Sequence, residues 1–279
     1  LDIPNVSRKI HKKPTYLIGG HFIFISYSVF LLFSFDYSLY HKFVFFFIFS
    51  CIFLIGILDD LKDLKPIVKL GLVLIIYLVL IYFDNDYLLK KIYFETFDKS
   101  LNFGIYSYPV SILCVLLLIN AINLIDGING LAMMVFIIIY LYLHYFLNVA
   151  FNIFIFIFYV FIFFNIYKGK YFLGNSGSLI IGALIAFSTI KAYNSNFTQN
   201  NSAEDIVILF LIPGIDMFRL FARRIIDKKN PFKADNLHLH HLLIAKYSLK
   251  NILFFYFISI VGSSYMAFND ILPELIIIL

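Results

Sequence analysis

Long apolar runs, broken at intervals by short polar islands, constrain this chain more than any other feature of its sequence. They cover residues 16–35, 43–58, 67–83, 106–125, 131–147, 149–167, 178–193, 205–222 and 252–268. A backbone in hydrocarbon must satisfy its own N–H and C=O groups, and an uninterrupted run near 20 residues does so as an α-helix. Only 14% of the residues are charged, against about 25% in a soluble domain. The fold class that follows is all-α, a polytopic membrane protein with about nine full transmembrane helices. A truncated tenth is expected at 271–279. The sequence opens on Leu1 in a polar stretch, so one further helix is expected to be missing upstream. Residues 1–279 then form a single integral-membrane domain, cut at both ends. Pro213-Gly214 predicts a kink in the eighth run. Cys51 and Cys114 lie inside apolar runs and read as packing residues rather than a disulfide.

Alternation of the runs sorts the loops onto two sides. Seventeen of the 22 Lys and Arg residues fall on the side of the N-terminus. That side is therefore expected to be cytoplasmic. Every polar island capable of chemistry falls on it too. A transporter would be expected to keep its critical polar groups near the midplane. A site at one membrane face suits a water-soluble substrate meeting a lipid.

The central island is Asn120-Ala-Ile-Asn123-Leu-Ile-Asp126-Gly127-Ile-Asn129-Gly130. On a helix Asn120, Asn123 and Gly127 would share one face, with Asp126 where the helix can end. Amides and a carboxylate at membrane depth are costly unless paired, which makes them candidate site residues; the alternative is a polar helix end at the water interface. Asp59-Asp60-x-x-Asp63 places Asp59 and Asp63 on one helical face. Its three carboxylates suit Mg²⁺ or Mn²⁺, or else a solvated helix end balanced by lysines. Gly174-Asn175-Ser176-Gly177-Ser178 lies at a helix start, where free N–H groups bind anions. His238-x-His240-His241 follows Asp235 in a basic loop, beyond a separate island of Asp216 with Arg219, Arg223 and Arg224, and reads as an anion site or as contact with anionic lipid.

Together these motifs resemble the polyprenyl-phosphate N-acetylhexosamine-1-phosphate transferases, glycosyltransferase family 4. The N-terminal Asp2-x-Pro4-Asn5-x-x-Arg8-Lys9-x-His11-x-x-Pro14 with Gly19-Gly20 is similar to the bacterial branch, and the His-x-His-His form to the undecaprenyl-phosphate GlcNAc-1-phosphate transferases. The resemblance implies transfer of a sugar 1-phosphate, GlcNAc-1-phosphate first, from a UDP-N-acetyl sugar to undecaprenyl phosphate with release of UMP. That would be an initiating step of cell-envelope glycan synthesis at the cytoplasmic face of a bacterial inner membrane. It implies Mg²⁺, with Mn²⁺ as substitute, held by Asn123 and Asn175. It gives Asp59, Asp60 and Asp126 the task of orienting or deprotonating the lipid phosphate, with the acting one left open. Lys69, His238, His240 and His241 would bind phosphates, and Phe172 would stack on uracil. Lys9 and Lys13 are further phosphate candidates. The implied partners are the UDP-sugar, undecaprenyl phosphate and membrane lipid, with a second copy as a homodimer and no nucleic acid.

The sequence departs from the family pattern at three positions. Asn175 replaces an aspartate that usually binds the metal, Asn129 replaces the second aspartate of the central motif, and Tyr16 stands where proline is common. Asn175 offers an amide oxygen but no negative charge. Two other classes fit the same residues: a lipid-linked transporter, and a relative that binds without transferring. Another UDP-N-acetyl sugar would need no different motif.

Overall fold

The computed structural model describes residues 15–34, 37–147, 149–150, 152–195, 202–228 and 237–268. The 2–14 motif with Lys9 and Lys13, Asp235 and the truncated run at 271–279 lie outside the described residues.

Apolar runs become helices where local chemistry can start and stop them. Helix α1 is Gly19–Phe33, α2 is Leu39–Lys62 and α3 is Pro66–Phe83. The side chain of Ser38 accepts from His41 N–H at the start of α2, and Pro66 opens α3, where a missing N–H costs nothing. Then come α4 at Ser107–Ile125, α5 at Leu131–Leu147, α6 at Ile153–Tyr167 and α7 at Gly174–Ser195. The last apolar helices are α8 at Ala203–Leu209, α9 at Leu211–Ile226, a short α10 at Leu239–Ile244, and α11 at Leu249–Phe268.

Among the described residues, five helical stretches are long and apolar enough to cross a membrane: α2, α3, α4 with its preceding turn, α7 and α11. Helices α1, α5 and α6 are apolar but run only 15, 17 and 15 residues. The expected eighth span is two helices. Its break falls at Phe210, not at Pro213-Gly214, because Pro213 occupies the first turn of α9, where its ring clashes with nothing. The chain is also not wholly α-helical. In the polar excursion, β1 at Lys91–Phe94 pairs antiparallel with β2 at Lys99–Asn102, Ile92 opposite Leu101. Both cysteines are free, and Cys114 is exposed rather than packed.

Helix α7 is the axis of the bundle. It is buried along most of its length and packs against α1, α2, α4 and α5. Outward-facing side chains such as Leu32, Phe33, Phe43, Phe47 and Phe254 are apolar and exposed, the pattern hydrocarbon solvent demands. The α2–α7 crossing is close because α2 presents Gly56: a Cβ there would overlap Ser176 Cα. Gly56→Ala is expected to cost about 1–3 kcal/mol as an overpacked core does. Thermal unfolding in detergent checks this, and an unchanged midpoint would mean that α2 and α7 can move apart freely.

Candidate active site at one end of the bundle

The polar islands meet where α2 and α4 end and α3 and α7 begin. Helix α2 stops at Lys62, and Asp63 closes it in the left-handed region at φ 49°. Asp63 therefore leaves the helical face it was expected to share with Asp59. Asp59 is buried. Its Oδ2 accepts from Lys69 Nζ at 2.8 Å and its Oδ1 from Leu64 N–H at 2.9 Å. Lys69 is thus committed to a carboxylate of the chain, with its side chain only 12% exposed.

Asp60 faces α7. Its Oδ1 accepts from Asn175 N–H at 2.7 Å and its Oδ2 from Ser176 N–H at 3.1 Å. The anion at this helix start is a carboxylate from α2, which corrects the expectation that these N–H groups are free for a substrate. A charged acceptor on the first turn of a helix is favourable both by hydrogen bonding and by the helix dipole.

One turn further along α7, Ser178 Oγ donates to Asn123 Oδ1 at 2.8 Å and lies 3.4 Å from the Asn175 carbonyl. This hydroxyl ties the Asn123 side chain to the backbone of Asn175, the two residues predicted to share a ligand. Asn120 turns away and donates toward Met217 Sδ on α9, at 3.7 Å. Helix α4 ends at Ile125, so Gly127 is not on the face of Asn120 and Asn123, as the helical spacing had suggested. Asp126 caps that end. Burial, and next the charge of Asp60, raise its carboxyl well above the usual range. Among the described residues none donates a hydrogen bond to that carboxylate.

Gly127 links this cluster to the histidines: a Cβ there would overlap His240 Nε2. His240 is fully buried, and its ring lies 4.3 Å from that of His241 and 5.6 Å from that of His238. Burial, then the His241 and His238 rings, hold its imidazole down at about 3, so it is neutral at pH 7. His238 is fixed by Asp216, whose Oδ2 lies 2.9 Å from His238 Nδ1. The carboxylate can only accept, so Nδ1 carries the proton and donates. Asp216 Oδ1 also accepts from Arg219 at 2.8 Å and from Leu239 N–H at 3.0 Å. Burial alone would raise this carboxyl, but the bonds from His238, Arg219 and Leu239 outweigh it and hold it at about 2.

Phe172 is half-buried beside the start of α7. Its N–H donates to Tyr16 O at 2.9 Å and its carbonyl accepts from Gly19 N–H at 3.0 Å, so the segment before α1 pairs with the segment before α7. This is where the chain uses Tyr16 in place of the common proline.

The sequence pattern had included Ser178 and Asp216 without assigning either a task. The spacing of Asp216 and Arg219, three residues apart on α9, was the signal for that pair. Nothing in the sequence indicated the bond from Ser178 to a helix 55 residues away.

The family model of glycosyl transferase family 4 matches residues 42–193, more than half of the chain. The chain belongs to glycosyl transferase family 4. Within this family it is similar to an undecaprenyl-phosphate alpha-N-acetylglucosaminyl 1-phosphate transferase of Thermotoga maritima, 31% identical over 88% of this chain and 73% of the relative. The Escherichia coli enzyme of the same name is 27% identical over 88% of this chain and 69% of its own. A phospho-N-acetylmuramoyl-pentapeptide-transferase of Clostridium botulinum is 28% identical over 63% of this chain and 60% of its own. The match to the family 4 model takes in Asp59, Asp60, Asn123, Asp126, Phe172 and Asn175, while the histidines lie beyond it.

Proposed function

We propose that this protein moves a sugar 1-phosphate, GlcNAc-1-phosphate in the favoured form, from a UDP-N-acetyl sugar to undecaprenyl phosphate, releasing UMP. The site would face the cytoplasm of a bacterial inner membrane and initiate a cell-envelope glycan. The observation that carries this reading is the closeness of a polar cluster to an apolar groove. The groove, about 530 Å³, lies between α4, α7, α8 and α9, and includes Ala121 and Met217. Those two residues are the chain neighbours of Asn120 and Asp216, so one end of the groove lies close to the polar end of the bundle. A lipid phosphate can lay its chain there and its headgroup among Asp126, Asn123 and the histidines.

In the reaction, an oxygen of the lipid phosphate attacks the sugar-proximal phosphorus. The bond from that phosphorus to the bridging oxygen breaks, and UMP leaves with the electron pair. Asp59 and Asp60 are engaged by Lys69 and by α7, which leaves Asp126 as the carboxylate that meets the attacking phosphate. Burial raises this carboxyl, so its carboxylate form holds a proton more readily than an ordinary one, which suits a general base. His238, His240 and His241 hold the diphosphate. Here His238 is oriented by Asp216, and the neutral ring of His240 donates or accepts without adding charge.

Mg²⁺, when bound, supplies the positive charge that neutralises the diphosphate. Asn123, Asn175 and Asp126 are the residues that would hold it. Among the described residues no three His, Cys, Asp or Glu side chains form a metal group. Two amides and one carboxylate suit a metal that takes its other ligands from water and substrate phosphates. Repulsion between Asp60 and Asp126 also favours a cation nearby.

A panel of UDP-sugars with undecaprenyl phosphate, scored by UMP release, tests the donor; strongest release with UDP-GlcNAc is expected, and release with none would reject the reading. Phe172→Ala should raise the Michaelis constant for the nucleotide sugar roughly fivefold, about 1 kcal/mol of lost stacking. The lipid phosphate constant should stay. If the nucleotide constant does not move, Phe172 only packs.

A further inference from the structure

The far end of the groove is closed by the β1–β2 hairpin, at the opposite end of α4 from Asp126. Helix α4 has 19 residues, so the two ends stand about 28 Å apart. Leu89, Ile92 and Phe103 line the groove from the hairpin side.

A two-stranded ribbon alone is marginally stable, and this one, with the segment before it, is fastened to three of the four groove helices. From α4, Ser111 Oγ accepts from Leu89 N–H at 2.8 Å. From α7, Tyr193 Oη accepts from Tyr93 N–H at 2.8 Å, and Asn194 Nδ2 donates to Asp86 O at 2.6 Å and Leu88 O at 3.0 Å. From α8, Glu204 accepts from Glu95 N–H at 3.3 Å and Thr96 N–H at 3.4 Å. The Tyr93 bond uses up a β1 edge group that would otherwise stay open, and the others tie down the segment before β1 and the turn after it. They also hold Ile92 and Phe103 at a fixed distance from the polar cluster.

We propose that the hairpin is the end wall of the lipid groove, and that Ile92 and Phe103 make the enzyme prefer long prenyl phosphates over short ones. The inference rests on the reading given under the proposed function. The occupant is the prenyl chain, because the groove's near end, at Ala121 and Met217, lies close to the polar cluster that would hold its phosphate, and the rest of its lining is almost wholly apolar. A short chain anchored there ends before the hairpin. A long one reaches it and buries further apolar surface against Ile92 and Phe103, at about 25 cal/mol per Å².

Ile92→Ala and Phe103→Ala are tested with two acceptors, undecaprenyl phosphate and a ten-carbon prenyl phosphate. The Michaelis constant for the long acceptor should rise about tenfold in the double variant, and that for the short one should hold. Equal changes for both, or none, overturn the proposal. A second measurement does not depend on turnover. Ile92→Cys is made together with Cys51→Ser and Cys114→Ser, and is labelled with a maleimide in nanodiscs. Undecaprenyl phosphate should slow the labelling severalfold and the ten-carbon lipid should not. Labelling indifferent to both would mean that bilayer lipid fills the groove, which also overturns it. If no acceptor yields UMP while length-dependent protection persists, the reaction reading fails and the end wall stands.

Discussion

Asp126→Asn is expected to cut turnover about 100-fold or more while raising the thermal stability of the substrate-free, metal-free protein. The first half follows from its place as a buried carboxylate that accepts no hydrogen bond among the described residues, and from the size of acid–base and charge effects in active sites. The second half follows from its raised carboxyl. A group that ionises less readily folded than unfolded gives stability that is full below the ordinary carboxylate value, about 3.9. That stability is lost as pH rises through the raised value. Asparagine has no such loss, so the variant should melt higher than the parent at pH 7, and the gap should close in acid. Asp60→Ala should behave in the opposite way, losing two hydrogen bonds to the start of α7 and melting lower by about 1 kcal/mol of capping. Turnover and melting curves of the two variants decide the assignment. Near-normal turnover in Asp126→Asn would remove Asp126 from the reaction.

Asn175→Asp is expected to lower the Mg²⁺ concentration for half-maximal rate about tenfold, since a carboxylate is a stronger ligand for this ion than an amide. The structure adds a cost. Asn175 N–H is bonded to Asp60, so the new carboxylate stands beside an existing one. Without metal the variant should melt lower than the parent, and with metal the difference should shrink or reverse. A metal titration of rate and of melting in both proteins checks this. A flat metal dependence in the variant would mean that Asn175 is not a ligand.

The gathering of the candidate residues was more legible in the sequence than the helix boundaries were. Asp59, Asp60, Asn123, Asp126, Asn175 and the three histidines do come together at one end of the bundle, because polar groups in an apolar chain have few places to go. What could not be read was partnership. Asp60 and the start of α7 are 115 residues apart, so a carboxylate and a pair of backbone N–H groups that look like two separate sites are one capped helix. The expected face shared by Asp59 and Asp63 failed because α2 ends one residue before Asp63, a boundary that hydrophobic patterning does not fix. The break at Phe210 escaped for the related reason that a proline in a first turn starts a helix as readily as it interrupts one. The hairpin was hidden inside a stretch defined only by its polarity, and its anchors lie on α4, α7 and α8.

The central claim is that a phosphate bonded to the sugar travels with it to a lipid. It is tested most directly with purified protein in nanodiscs, undecaprenyl phosphate, Mg²⁺ and UDP-GlcNAc labelled at the sugar-proximal phosphorus. The label is expected to move into an organic-extractable lipid diphosphate, with unlabelled UMP released in equal amount. Label released as UDP, which is sugar transfer without phosphate, would contradict it, as would uptake of intact labelled substrate with no UMP formed.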